Sequence, residues 1–267
     1  METLQVLVAT MRQRDLSIVR EMNLRCPAVI ANQADREETV CRDGVKMITT
    51  ATRGVGLNRN IALLAADAQI VVFADDDVVY NDDMEKAVLA AFQENPKADV
   101  LIFGMDMVKN GVVTERRNEK KRRLHAWNAM RFGTYRIAAR RSALLRENIS
   151  FHQQFGGGCP FSAGEDTLFL KSCFDRGLKV YAHDYVLGRC RKDNSSWFVG
   201  YNEKYFYDKG VLVRRLFPRL HPLMGLYFGL RFKRKTDIGP GKRLKLVYAG
   251  IRGGKTMKTY ETYCHRQ

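Results

Sequence analysis

Two groups of acids stand out as side chains able to do chemistry: the run Asp75-Asp76-Asp77 and the pair Glu165-Asp166. Like charges within ~4 Å repel by roughly 4 kcal/mol at an effective dielectric near 20, so the run needs water, a basic side chain or a metal ion to balance it. Hard divalent cations take oxygen ligands, and Mg²⁺ commonly bridges one or two carboxylates to a substrate phosphate. The run reads as a metal-phosphate site; taken alone, it also allows an acidic turn leading into a helix. The pair follows a glycine-rich stretch, Phe155-Gly156-Gly157-Gly158, and precedes residues at helical spacing. A carboxylate at such a loop–helix junction is well placed as a general base. Stabilisation of two acids by the helix dipole is the other account of it. A third stretch, Arg53-Gly54-Val55-Gly56-Leu57-Asn58-Arg59-Asn60, puts two arginines at the opening of a helix, which suits an anion or makes a plain turn.

The elements that must position these groups follow from the apolar pattern. Ile70–Phe73 is apolar without alternation, as in a strand buried on both faces of a parallel sheet. Ligands of open α/β sheets bind at the carboxyl ends of the strands, which is where the aspartates fall. Leu4–Thr10 reads as a first strand, residues 27–31 as a second ending at Asn32-Gln33, and Val45–Thr50 as a weaker one. Ile61, Leu64, Ala65 and Ala68 recur at helical spacing. Asp82 with Glu85 predicts a capping box opening a helix that stops near Asn95-Pro96. Val100–Phe103 and residues 132–138 read as strands, and Lys179–Ala182 as a short one. Residues 115–123 read as a solvated, charge-dense face, and Arg141–Glu147 as a short helix. Ser195-Ser196 beside Arg191 and Lys192 suits a diphosphate or a turn.

Composition bounds the class. A chain of 267 residues with 45% hydrophobic content supports one large domain, or a domain with an appendage. The net charge of +16 is uneven: residues 209–267 hold 15 Lys/Arg and 2 acids, a balance of +13, which leaves +3 for residues 1–208. We therefore read a domain over 1–208 and a basic, largely helical extension over 209–267. Such a tail faces nucleic acid, anionic lipid or a phosphate-bearing substrate, or is simply solvated. Leu223–Phe232 is apolar and flanked by Arg231 to Lys235, a pattern that fits a membrane interface or packing on the domain. Six cysteines without a CxxC pair fit reduced thiols in the cytoplasm. Neither a signal peptide nor a run long enough to span a bilayer is read.

Three pieces in this order resemble family 2 of the glycosyltransferases: Gly56-Leu57-Asn58-Arg59-Asn60, Phe73-Ala74-Asp75-Asp76-Asp77 as a DxD motif, and Gly164-Glu165-Asp166-Thr167 as an ED motif. The resemblance runs from about Leu4 to Trp197. It implies the α/β fold called GT-A, a Rossmann-like, mostly parallel central sheet flanked by helices. It implies an inverting, metal-dependent transfer of one sugar from a nucleotide-diphosphate sugar, with UDP as the expected nucleotide. By resemblance, Asp166 is the catalytic base and Glu165, Gly157 and Gly158 face the acceptor. Thr10, Asn32 and Gln33 line the nucleobase, Arg53, Arg59 and Asn60 approach the donor, and Asp75 and Asp76 hold it. Asp75 and Asp77 would hold Mg²⁺ or Mn²⁺. The expected acceptor is a lipid- or polymer-linked glycan of cell-surface polysaccharide or glycolipid synthesis, with a possible anionic membrane surface and peripheral placement at the inner face of the cell membrane. Asn32-Gln33 departs from the acidic pair many members carry there. Trp197 follows Ser195-Ser196 and is not part of a QxxRW motif, which argues against a polymer-extruding synthase.

Two rivals remain at this stage. A nucleotidyltransferase of similar α/β fold would release pyrophosphate, but an early glycine-rich triphosphate loop is lacking. A nucleic-acid binding module would use the basic tail, yet no recognition motif is present there, so no nucleic-acid partner is expected.

Overall fold

In the computed structural model, residues 2–191, 200–232 and 235–265 are described. The readings on Lys192, Ser195, Ser196 and Trp197 therefore lie outside the described residues. Two compact units form, one of Met1–Gln153 with Glu165–Ser195 and one of Gln154–Gly164 with Ser196–Gln267. The second unit thus takes in the glycine-rich loop and begins upstream of residue 209.

The first unit is built on an eleven-stranded sheet. Its strands are β1 (Leu4–Met11), β2 (Ala28–Gln33), β3 (Glu38–Arg42), β4 (Val45–Thr50), β5 (Ile70–Asp75), β6 (Val78–Tyr80), β7 (Val100–Lys109), β8 (Val112–Arg117), β9 (Arg122–Arg123), β10 (Ile137–Arg140) and β11 (Val180–Arg191). The order is β3-β4-β2-β1-β5-β10-β7-β11-β6, with β8 on β7 and β9 on β11. β4, β2, β1 and β5 are mutually parallel, and β10 runs against both β5 and β7, so β7 and its parallel partner β11 share the direction of β5. The buried, unalternating strands sit in the middle, while β3 at the edge is polar and largely exposed, as edge strands that resist further pairing are.

Each face of the sheet is covered. Val6, Val8, Ile70 and Val72 point to one core, joined by Ile18 of α1 (Ile18–Glu21) and Met84, Val88 and Phe92 of α3 (Met84–Glu94). Leu7, Val71 and Phe73 point to the other, joined by Ala62 and Leu63 of α2 (Val55–Ala65), Leu144 of α5 (Arg141–Arg146) and Phe169 and Leu170 of α6 (Glu165–Asp175). A short helix, α4, spans Ala126–Ala129. Phe151 and Phe169 stack at 4.2 Å and 9°, with Phe73 edge-on to both at 5.2 and 5.4 Å. Such ring pairs add about 0.5–1.5 kcal/mol each beyond area burial.

Several expectations are corrected. Asp82 is not a helix cap: it accepts from Asn23 and pairs with Arg25 at 2.9 Å, while Asp83 takes the N-cap position without a side-chain cap bond. Residues 112–117 are a strand, because Asn110-Gly111, both at positive φ, closes a two-residue hairpin between Lys109 and Val112. Within the charged stretch, Glu119 is nearly buried and pairs with Arg122, Arg131 and Arg136. Thr134–Arg136 is a 3-10 turn, and only from Ile137 does the strand begin. β11 is three times the length read from the sequence, because the chain beyond the polar His183-Asp184 goes on to pair with β7 and β6.

The second unit is helical: α7 (Glu203–Leu216), α8 (His221–Arg231), α9 (Pro240–Gly253) and α10 (Tyr260–Cys264). Phe206, Val213, Leu246, Val247 and Ile251 form its core. The proline at 222 falls in the first turn of α8, where it lacks only an N–H that would be unpaired anyway. Arg243 is buried and donates to the carbonyls of Gly229 (2.9 Å) and Ile238 (3.2 Å). Among the described residues no helix is long and apolar enough to cross a membrane.

Candidate active site

β5 ends at Asp75, and the turn Asp76-Asp77 leads into β6, which pairs with β11. The loops leaving β1 and β2 open at the same edge of the sheet, because the three strands are parallel. α2 approaches this edge with its N-terminus, and three consecutive polar residues fan out from it. Asn58 Nδ2 donates to the Thr10 and Ala31 carbonyls at 3.0 and 2.8 Å, tying the ends of β1 and β2 together. Asn60 is paired both ways with the backbone of Phe151, at 2.9 and 2.8 Å. Gly56 is glycine for the same approach: a Cβ there would stand 2.6 Å from the His152 carbonyl oxygen. Gly54, with φ 108°, is the N-cap, so Gly56 lies inside the helix rather than in a phosphate-cradling loop.

Between them, Arg59 is the hub. Its side chain is 4% exposed and donates to Asp75 Oδ1 (2.7 Å), Glu165 Oε1 (3.2 Å) and Asp166 Oδ1 (3.1 Å). The guanidinium also lies 5.3 Å from the Phe151 ring centroid. Burial works against its charge, but Asp75, Asp166 and Glu165 outweigh this and hold it firmly protonated. One cation therefore joins the end of β5 to the first turn of α6, two stations some ninety positions apart in the chain. Arg59 sits at the site, with its fork turned to carboxylates.

Asp166 receives a second donor, the Thr134 hydroxyl, and its side chain is 29% exposed. Glu165 is more enclosed, at 13%. Burial and the neighbouring Asp166 push Glu165 well above the usual carboxylate range, with Arg59 pulling the other way. Asp76 is exposed and accepts from the Thr10 hydroxyl at 2.6 Å. Thr10 in turn accepts from Gln13 at 3.0 Å. Asp77 is half-buried, and its Oδ1 is enclosed without a hydrogen-bond partner. Burial first and Asp75 second push its carboxyl up to about 6, against the pull of the Cys190 thiol.

That orphaned oxygen bears on a metal. Among the described residues no three His, Cys, Asp or Glu side chains are grouped to hold an ion by themselves. Mg²⁺ does not need such a cage, since it is commonly held by one or two carboxylates and completed by substrate phosphate. Asp77 Oδ1 and the partly exposed Asp75 fit a site of that kind, and a cation there would offset the burial and the Asp75 charge that raise Asp77.

The remaining expected residues are placed as follows. Asn32 is buried and holds the loop after β1, accepting from Gln13 N at 2.9 Å and donating to Gln13 O at 3.0 Å. Gln33 donates to Gly54 O at 3.1 Å. Both amides thus brace loops at the strand ends. Arg53 is exposed and pairs with Asp35 at 2.5 Å. Gly157 and Gly158 belong to the second unit, in a loop closed by Gly156 N to Phe161 O at 2.9 Å. Asp208 of α7 anchors that loop through the Ser162 amide and hydroxyl at 3.0 and 2.9 Å. Sequence reading missed Thr134, Asn58, Cys190 and Asp208. Thr134 is fully buried next to Gly133 and Tyr135, and no local pattern marks it.

Residues 27–156 match the family model for glycosyl transferase family 2. No curated protein matches the chain. Among solved structures, S. aureus TarS 1–349 in complex with UDP-GlcNAc is 16% identical with a TM-score of 0.60, covering 98% of this chain and 77% of that one. TarS 1–349 with UDP is 15% identical with a TM-score of 0.58, covering 99% and 78%. A longer S. aureus TarS chain is 14% identical with a TM-score of 0.55, and 97% of this chain covers 44% of it. These likenesses show the fold, the GT-A architecture expected from the sequence.

Proposed function

We propose, from the match of residues 27–156 to the glycosyl transferase family 2 model and from the geometry of the acidic cluster, that this chain is a glycosyltransferase that moves one sugar from a nucleotide-diphosphate sugar to an acceptor hydroxyl with inversion. The observation that supports this reading is the single buried guanidinium joining Asp75, at the end of β5, to Glu165 and Asp166. It gathers the two acidic stations that such a transfer needs: one for the donor diphosphate, one for the acceptor proton.

In the proposed step Asp166 takes the proton of the acceptor hydroxyl as that oxygen bonds to the anomeric carbon. The bond from this carbon to the diphosphate breaks, and the leaving nucleoside diphosphate keeps the electron pair. Direct displacement inverts the anomeric centre and forms no covalent enzyme intermediate. Thr134 and Arg59 fix one oxygen of Asp166, leaving the other to face the acceptor. A positioned base is worth about 10²–10⁴-fold. Asp75 and Asp77 are the residues proposed to hold Mg²⁺ or Mn²⁺, which when bound stabilises the charge developing on the diphosphate. Thr10 and Asp76, hydrogen-bonded to each other, are proposed to meet the nucleoside. The loop ends braced by Asn32 and Gln33 are proposed to shape the seat of the base. UDP is the nucleotide proposed, since TarS was crystallised with UDP-GlcNAc and with UDP. The acceptor class proposed is a lipid- or polymer-linked glycan.

The test is product analysis with a panel of nucleotide sugars, with and without Mn²⁺. Release of nucleoside diphosphate that needs the divalent ion, with an inverted anomeric proton in the product, supports the reading. Pyrophosphate release from a nucleoside triphosphate would instead mark a nucleotidyltransferase.

A further inference from the structure

The second unit carries an apolar surface that the sugar chemistry does not use. Leu223, Leu226, Tyr227 and Leu230 of α8 are 64%, 44%, 49% and 46% exposed, and Leu220 just before the helix is 59% exposed. The four helical positions are spaced i, i+3, i+4 and i+7, so they form one stripe. The rest of the described chain exposes large apolar side chains singly or in pairs, as soluble surfaces do.

This face is turned outward because the opposite one is committed. Gly225 and Gly229 are buried against α9: a Cβ on them would stand 2.6 Å from Ile251 and 2.5 Å from Leu244. Arg243 of α9 holds the Gly229 carbonyl, and Met224 and Phe228 pack on the core of the unit. α8 cannot roll its leucines inward without breaking these contacts. At 11 residues it is also about 16 Å long, far short of the ~30 Å hydrocarbon thickness, so it can only lie along an interface.

Charge decides what covers it. Residues 209–236 contain eight Lys/Arg and no acid. Arg219, Arg231 and Lys235 are exposed at the ends of the stripe. Arg231 leans on Tyr227 at 5.6 Å, keeping a cation at the rim of the apolar face. An apolar stripe with cations at both ends complements anionic headgroups above acyl chains, and a tyrosine at its edge suits the headgroup level.

We infer that α8 seats its Leu223-Leu226-Tyr227-Leu230 face in the surface of an anionic bilayer. The leucines enter the headgroup–acyl boundary, and the basic residues stay among the lipid phosphates. This placement is independent of the transferase reading above.

The experiment is co-sedimentation of the full chain with vesicles of phosphatidylcholine alone or with roughly 30% phosphatidylglycerol added. Binding is expected only to the anionic vesicles and is weakened by salt. Leu223→Glu with Leu230→Glu is expected to reduce partitioning more than tenfold. Arg219→Gln is expected to weaken it about fivefold, the worth of one basic residue near such a surface. Donor turnover in solution and melting temperature, read on the same proteins, are expected to match the unmodified chain. Should the double variant fold poorly, Leu226→Ser, at an exposed position, makes the same test. Equal binding to neutral vesicles, or undiminished binding by the leucine variants, overturns the inference. So does a self-association that the leucine changes abolish while vesicles stay unbound, which would mark a face between copies of this chain.

Discussion

Two buried arginines, Arg59 in the sheet unit and Arg243 in the helical unit, do opposite things with the same group. Arg59 spends its fork on three carboxylates; Arg243 spends its on backbone carbonyls. The first sets the charge of a reacting cluster. The second closes the last turn of α8, where carbonyls lack intrahelical partners and the dipole favours a cation. An arginine among formal charges tunes chemistry and is sensitive to pH. An arginine among dipoles holds a shape and is not.

The largest effect expected is on rate. Asp166→Asn keeps the size of the side chain but cannot take a proton, so turnover falls about 10²–10⁴-fold while nucleotide binding, read by calorimetry, persists. Arg59→Met comes next. It leaves three carboxylates without their cation and costs about 3–5 kcal/mol of stability. Because Glu165 is held above the usual carboxylate range and its protonation relieves repulsion in the cluster, the melting-temperature loss is larger at pH 8 than at pH 5. Arg243→Met is expected to cost roughly 1–3 kcal/mol, equally at both pH values. If both variants respond to pH alike, the two arginines do not differ in this way.

Asp77 sharpens the same contrast from the acid side. Its folded-state carboxyl titrates at about 6, above its ordinary value of 3.8. The folded chain thus holds this proton better than the unfolded one, and its contribution to stability falls as pH rises from about 4 to about 6. A cation bound to the charged form reverses this. Mn²⁺ is therefore expected to raise the melting temperature more at pH 7.5 than at pH 5.5, and Asp77→Asn to abolish the difference. The smallest effect is Thr134→Val: loss of one hydrogen bond to a carboxylate lowers kcat/KM about tenfold, with nucleotide binding unchanged.

What the sequence revealed of this site was its acids, and the reason is physical. Asp75–Asp77 end an apolar run and Glu165-Asp166 follow a glycine loop, so burial contrast and strand ends announce them. The central strands were legible for the same reason. The hairpins at Asp43-Gly44 and Asn110-Gly111 carried a recognisable turn signal, yet their strands are polar edges whose apolar pattern is weak. Arg59 was read as a partner of phosphate because an arginine at a helix opening offers no sign of which anion it meets. Its carboxylates come from β5 and α6, and long-range pairing of that kind leaves no local trace. Thr134 and Asn58 stayed hidden for that reason too.

β10 has a consequence for how this edge of the sheet is furnished. In the parallel strands β1, β2 and β5, useful residues arrive where the chain leaves the strand. β10 runs the other way between β5 and β7, so Thr134 is delivered just before the chain enters it. Replacing Thr134 by alanine would leave β10 paired from Ile137 on, yet take the hydroxyl off Asp166. The reversed strand thus makes the acid's alignment adjustable at a place where the stability of the sheet is not at stake.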